Sequence, residues 1–289
     1  MEQRNLLHER LLQEEEDGLA AILSACGEPL PLTCTCCGRE RIVETRCKKR
    51  WCPVCARQIS AKRVAKYGAA VEALQWPLFI TLTRPNVKTI NLNTIKELRR
   101  GLRRLRQQAW WKKCVAGGVA SVEVTNTGKG WHPHIHAIID CRWLAVKTPP
   151  PKPFEAKSAT AAKYKQAGIE VSQRWAKALD VPRASIFVKR AYTPRTAPQM
   201  PKGSKSIAVE VLKYAVKPSD LIQSPEPIGE LLRTIGAARL VSSWGSLYGR
   251  DLSGENSERT PAMCECGAAG HWLPDSVIDR IAGRPRKYC

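Results

Sequence analysis

Long apolar runs and negative charge are both scarce in these 289 residues. No apolar stretch approaches the roughly 18 residues that a membrane span needs. Gly18–Cys26 is the nearest, which sets aside a helical membrane protein. Glu14, Glu15, Glu16 and Asp17 are acidic where a secretory leader would be basic, so export is not expected. In a reducing compartment the twelve cysteines read as metal ligands or buried thiols rather than disulfides. Acidic residues number 26 against 47 Lys+Arg, a net charge of +21, and 7 of the 26 fall within residues 1–30. That segment is net −5, and the remainder carries 45 basic and 19 acidic side chains, or +26. A surplus of this size repels itself unless a polyanion neutralises it, and nucleic acid is the expected partner. No internal repeat is visible.

Hydrophobic periodicity then orders the chain. Residues 1–25 read as one amphipathic helix in an acidic N-terminal region, 1–30. Residues 31–75 hold a Cys-rich module and a basic helix over Ile59–Leu74. Residues 76–222 hold strands at Leu78–Thr83, Val119–Val124, Ile135–Asp140 and Ala184–Tyr192. Between and after them lie helices near Ile95–Ala109, at Phe154–Leu179 and at Ile207–Lys217. Residues 223–289 form a C-terminal region with a helix at Ile228–Ser242 and a Cys-containing tail. The order implies an α+β fold: a mainly antiparallel sheet of split βαβ type, with helices on one face.

Three of the five histidines stand in Trp131-His132-Pro133-His134-Ile135-His136. Alternation along a strand puts His134 and His136 on one side, spaced to chelate a divalent ion. If Gly128-Lys129 form a two-residue hairpin loop, Glu123 lies opposite His134 on the same face. One carboxylate and two imidazoles suit a catalytic Mg²⁺ or Mn²⁺ with positions left open. His132 shares the parity, but Pro133 is expected to break the strand before it.

On the helix 207–217, Glu210, Tyr214 and Lys217 share one face. Tyr214 is a nucleophile only if a cation or a base assists it. Lys217 is placed to supply charge and Glu210 to act as a base. Spacing alone favours an ordinary amphipathic helix with an i,i+4 polar contact. The basic faces of the earlier helix, Lys96, Arg99, Arg100, Arg103, Arg104 and Arg106, read as a phosphate-binding surface.

Cys34-x-x-Cys37 and Cys52-x-x-Cys55, fourteen residues apart, have the spacing of one structural zinc site, with Cys47 able to replace a ligand. Arg46, Lys48 and Lys49 surround it and would contact DNA. Cys264, Cys266, His271 and Cys289 are candidates for a second site. Cys26, Cys114 and Cys141 stand alone and read as packing residues.

LFITLT (78–83), GWHPHIHAI (130–138) and VLKYAVK (211–217) occur in that order. Together they resemble the three motifs of plasmid rolling-circle replication initiators of the HUH endonuclease superfamily, single-tyrosine type. The resemblance implies that His134 and His136, with Glu123, bind the metal and that Tyr214 is the nucleophile. Lys217 would be its accompanying lysine, and Glu210 would activate water to end replication. It implies nicking and joining of single-stranded or hairpin origin DNA through a 5′-phosphotyrosine in the bacterial cytoplasm. A host helicase and a DNA polymerase are the family's usual partners. An HUH-type transposase and a non-catalytic, zinc-containing DNA-binding regulator are the alternatives.

Overall fold

A computed structural model describes residues 2–152, 156–191, 207–212, 216–249, 264–267 and 272–274. The chain opens with α1 (Glu2–Gln13) and α2 (Asp17–Ser24), followed by the hairpin β1 (Pro29–Cys34) and β2 (Glu40–Glu44). Next come α3 (Pro53–Glu72), β3 (Pro77–Thr83), α4 (Leu92–Gln107), α5 (Ala109–Cys114), β4 (Gly117–Asn126) and β5 (Trp131–Asp140). Then follow α6 (Lys157–Leu179), β6 (Ile186–Arg190), α7 (Ile207–Leu212), α8 (Pro218–Gln223), α9 (Gly229–Ala237), β7 (Val241–Gly245) and β8 (Trp272–Pro274).

The local causes are ordinary ones. Pro53 opens α3, where its missing N–H costs nothing. Asn91 caps α4 by accepting from the Thr94 N–H at 3.0 Å, and Ile95, Leu98, Leu102 and Leu105 form the buried face. Asp180 ends α6 in the left-handed conformation.

Five strands form one antiparallel sheet in the order β6-β3-β5-β4-β7. β3 and β4 flank β5, each antiparallel to it, and so run parallel to each other. Leu78, Ile80, Leu82, Val122, Ile135 and Ile139 point to one face, under α4 and α6. The opposite face carries His134 and His136. Contrary to the expectation of helices on one side, it too is covered: α7 packs on β4 and β5, and α3 packs on α7. Val119 and Ile138 meet Val211 and Leu212 there.

Several other expectations are corrected. The N-terminal helix is two helices, because Glu15 takes a left-handed conformation (φ 58°). β5 runs unbroken through Pro133. Trp131 exchanges two backbone hydrogen bonds with Val87, and alternate residues face the same side. Pro133 therefore faces the side where pairing with β3 has already ended at Thr83, and its missing N–H loses no bond. The last helix stops at Ala237, where Arg50 donates to the carbonyls of Ile235 (3.1 Å) and Ala238. Val241–Gly245 becomes an edge strand on β4, pairing that periodicity does not reveal. Among the described residues no helix is long and apolar enough to cross a membrane.

Candidate metal centre and nucleic-acid surface

The centre is built on the β4–β5 hairpin. The ladder pairs Glu123 with His134 and Ser121 with His136, the register anticipated from the sequence, although pairing ends at Asn126 and Trp131. Glu123 Oε2 lies 2.7 Å from His136 Nε2 and 3.5 Å from His134 Nε2, and the two Nε2 atoms are 3.0 Å apart. All three side chains are largely buried. His134 Nδ1–H donates to the His132 carbonyl (3.0 Å), which leaves the Nε2 lone pair directed at the centre. Thr81 Oγ1 sits 3.0 Å from His136 Nδ1, and Phe79 stacks on the same ring at 5.2 Å. Thr81 and Phe79 support the ligands from β3; only the cross-strand register, not the motif, could have identified them.

Burial pushes the Glu123 carboxyl up, but the close approach of His134 and His136 outweighs it and holds the group well below the usual carboxylate range. A carboxylate set against two imidazole nitrogens at such distances suits a shared cation. The donor set, one hard oxygen and two nitrogens, fits a divalent ion. His132 lies on the same face and stacks on His134 at 5.1 Å.

Glu210 belongs to α7, though its side chain lies outside the described atoms, and Tyr214 lies outside the described residues. Lys217 caps the start of α8 and is exposed. Val216 pairs with Val124, one residue beyond Glu123.

The cysteines divide differently from the spacing expectation. Cys34, Cys37, Cys52 and Cys55 do not form one site. Cys52 and Cys55 gather with Cys26 and Cys47; Cys34 and Cys37 gather with Cys264 and Cys266. The hairpin β1–β2 is the reason. Cys26 and Cys47 flank its open end and Cys34 and Cys37 lie at its turn, and strands of this length span roughly 16–20 Å. Cys26, expected to be a packing residue, is a member of the first quartet, and Cys47 joins Cys52 and Cys55 rather than replacing one of them. His271 and Cys289 lie outside the described residues. Hydrogen bonding from Cys47 draws the Cys52 thiol down to about 5, while its own bond to Cys52 and then burial push Cys47 up.

On the basic surface, Arg100 and Arg103 are exposed and Arg99 is half-buried. Burial, then Arg239 and Arg103, depress the Arg99 pKa. Arg106 stacks on Trp244 (4.4 Å), and Arg104 reaches the Ala178 carbonyl (3.4 Å). Lys96, Arg99, Arg100, Arg103 and Arg106 line one groove with Ser242. Arg239 continues it along the β7 edge toward Arg50 and Arg63; sequence reasoning missed Arg63 and Arg239. Arg46 pairs with Glu44, Lys48 is exposed and Lys49 half-exposed.

Comparison with known proteins adds a family. A family model described as "Replication protein" matches residues 40–263. A "Protein rep" of Streptococcus pneumoniae serotype 2 (strain D39 / NCTC 7466) is 29% identical over 215 residues, 70% of this chain and 61% of that protein. A "Protein rep" of Staphylococcus aureus is 31% identical over 101 residues, 32% of this chain and 44% of that one. The chain thus spans less than two thirds of the length of either relative. No solved structure gives a significant match.

Proposed function

From the premise that the chain belongs to the replication protein family, we propose that it is a plasmid rolling-circle replication initiator of the HUH type. The observation that carries this reading is the convergence of Glu123, His134 and His136 on the sheet face that α7 covers. In this reading the strand pair β3 and β4 around β5 is the split βαβ core. Those three residues hold a Mg²⁺ or Mn²⁺ ion, which when bound polarises a phosphate oxygen.

Tyr214 supplies the nucleophile. Its oxygen forms a bond to the scissile phosphorus, the P–O3′ bond breaks, and the departing oxygen takes up a proton as a 3′-hydroxyl. The 5′ phosphate stays on the tyrosine, so the bond can be re-formed without ATP. Lys217 favours the ionised phenol, and Glu210 takes a proton from water when replication ends. The placement of Leu212 and Val216, the described residues flanking residues 213–215, supports a site here: Leu212 packs with Val119 and Ile138, and Val216 pairs beside Glu123. The arginine groove and Arg46, Lys48 and Lys49 hold single-stranded or hairpin origin DNA. A helicase and a polymerase act on the nicked product. The quartet Cys26, Cys47, Cys52 and Cys55 holds a structural Zn²⁺. The replication names of the family and both relatives favour an initiator over a transposase.

The test is direct. Incubation with single-stranded oligonucleotides from the neighbouring DNA and Mn²⁺ should give a protein–DNA adduct that survives a denaturing gel and is absent with Tyr214→Phe. No adduct with any flanking sequence removes the enzymatic reading and leaves a DNA-binding regulator.

A further inference from the structure

The second cysteine quartet unites parts of the chain far apart in sequence. Cys34 and Cys37 stand at the turn of the β1–β2 hairpin; Cys264 and Cys266 arrive from beyond residue 263. Cys34 Sγ lies 3.9 Å from Cys266 Sγ, and Cys37 Sγ lies 3.6 Å from Cys264 Sγ. All four sulfurs lie within 4.8 Å of one another. Four thiolates around one zinc at about 2.3 Å stand about 3.8 Å apart along each tetrahedral edge, whereas a disulfide brings two sulfurs to about 2.05 Å. The spacing therefore matches tetrahedral coordination and is far too long for a bridge.

The two loops are built alike. Gly38 donates to the Cys34 carbonyl at 2.9 Å and Gly267 to the Cys264 carbonyl at 2.8 Å. Both glycines have positive φ (71° and 83°), which turns the chain back behind the sulfurs. Independent contacts hold the same junction: β8 pairs with β1 at Cys34–Trp272, Arg41 stacks on Trp272 at 4.1 Å, and Arg39 pairs with Glu265. All four cysteines also lie outside residues 40–263, the span shared with the family.

We propose that Cys34, Cys37, Cys264 and Cys266 bind one Zn²⁺ as a clasp. It would fasten the C-terminal segment to the N-terminal hairpin, separately from the Cys26 quartet. The inference does not depend on the nicking reading.

The full chain loaded with Co²⁺ in place of zinc reports thiolate ligation through its sulfur-to-cobalt charge-transfer band, to which the Glu123–His134–His136 centre does not contribute. Cys264→Ser/Cys266→Ser should lose half of that band and one metal equivalent, the remaining half showing that the chain is folded. Cys34→Ser/Cys37→Ser should lose the same half, and the fourfold variant no more than either pair. An undiminished band in the Cys264/Cys266 variant, or a complete loss in the fourfold one, overturns the clasp. If the double serine variant does not fold, Cys266→His gives the second reading. A shifted band at unchanged stoichiometry supports the site, and an unaltered spectrum overturns it.

Discussion

Glu170 and Glu123 are both buried carboxylates, and the fold gives them opposite tasks. Glu123 faces lone pairs, whereas Glu170 on α6 accepts from the backbone N–H groups of Val146, Lys147 and Thr148 at 3.0–3.2 Å and pairs with Arg174. It staples the 146–148 turn to the helix. Burial raises its pKa, but the backbone donors and Arg174 prevail, and the net shift is downward. A lowered folded pKa gives stability that is present above the unfolded value of about 4.3 and is lost as pH falls through the folded one. Glu170→Gln should therefore cost about 1–3 kcal/mol at neutral pH. The gap between variant and parent should close on acidification, as read by urea unfolding at a series of pH values. At this scale the sequence was informative where periodicity of two acts. Glu123 was placed opposite His134 by counting across a turn, while Thr81 became visible only once β3 was known to be the other neighbour of β5.

Among the elements, the longer helices and the strands β3 to β6 announce themselves through their apolar spacing, and the edge strand β7 does not. Val241–Gly245 follows α9 with no periodicity of its own and becomes a strand because β4 offers it a surface. Gly118 makes the approach possible. A Cβ there would stand 2.6 Å from the Trp244 ring and 2.7 Å from the Ile138 carbonyl. Gly118→Ala should lower stability by about 1–3 kcal/mol and detach β7 first. Thermal unfolding measures the loss, and hydrogen exchange at Ser243 and Trp244 should show it localised there. The cysteine module failed for a related reason. Sequence spacing treats two CxxC pairs as neighbours, but β2 runs between them and carries them to opposite ends of the hairpin.

At the scale of the whole molecule, part of the positive charge gathers on one surface. The α4 face and the β7 edge gather Lys96, Arg99, Arg100, Arg103, Arg106 and Arg239 into one strip. A strip that binds phosphates releases counterions in proportion to the phosphates it neutralises. Arg100→Ala/Arg103→Ala should flatten the slope of log K against log salt for single-stranded DNA by about 0.7 for each phosphate no longer neutralised. Fluorescence anisotropy across a salt series would show this, and an unchanged slope would place the DNA elsewhere. A sequence reveals that basic residues are abundant and that some share a helix face. That Arg50, Arg63 and Arg239 join them is a product of tertiary packing alone.

The acidic N-terminal segment, which opposes the rest in sign, is bound into the same body. Leu7 and Leu11 are fully buried, and the Arg10 guanidinium donates to the carbonyls of Ile222 (3.0 Å), Ser224 and Glu226 (2.9 Å). Glu14 accepts from the Ile228 N–H at 2.8 Å, and Glu16 pairs with Arg233. These partners lie 212 to 217 residues downstream. A ribosome adding about 5–20 residues per second needs about 10–40 s to deliver them after Arg10 has emerged. During that interval α1 has its own backbone bonds and its packing on α2, but not the downstream partners of Arg10, Glu14 and Glu16, and a helix of twelve residues is marginal alone. The α1–α2 pair is thus fastened to the rest of the body late, once residues 222–233 have been made, and until then it stands on its mutual contacts.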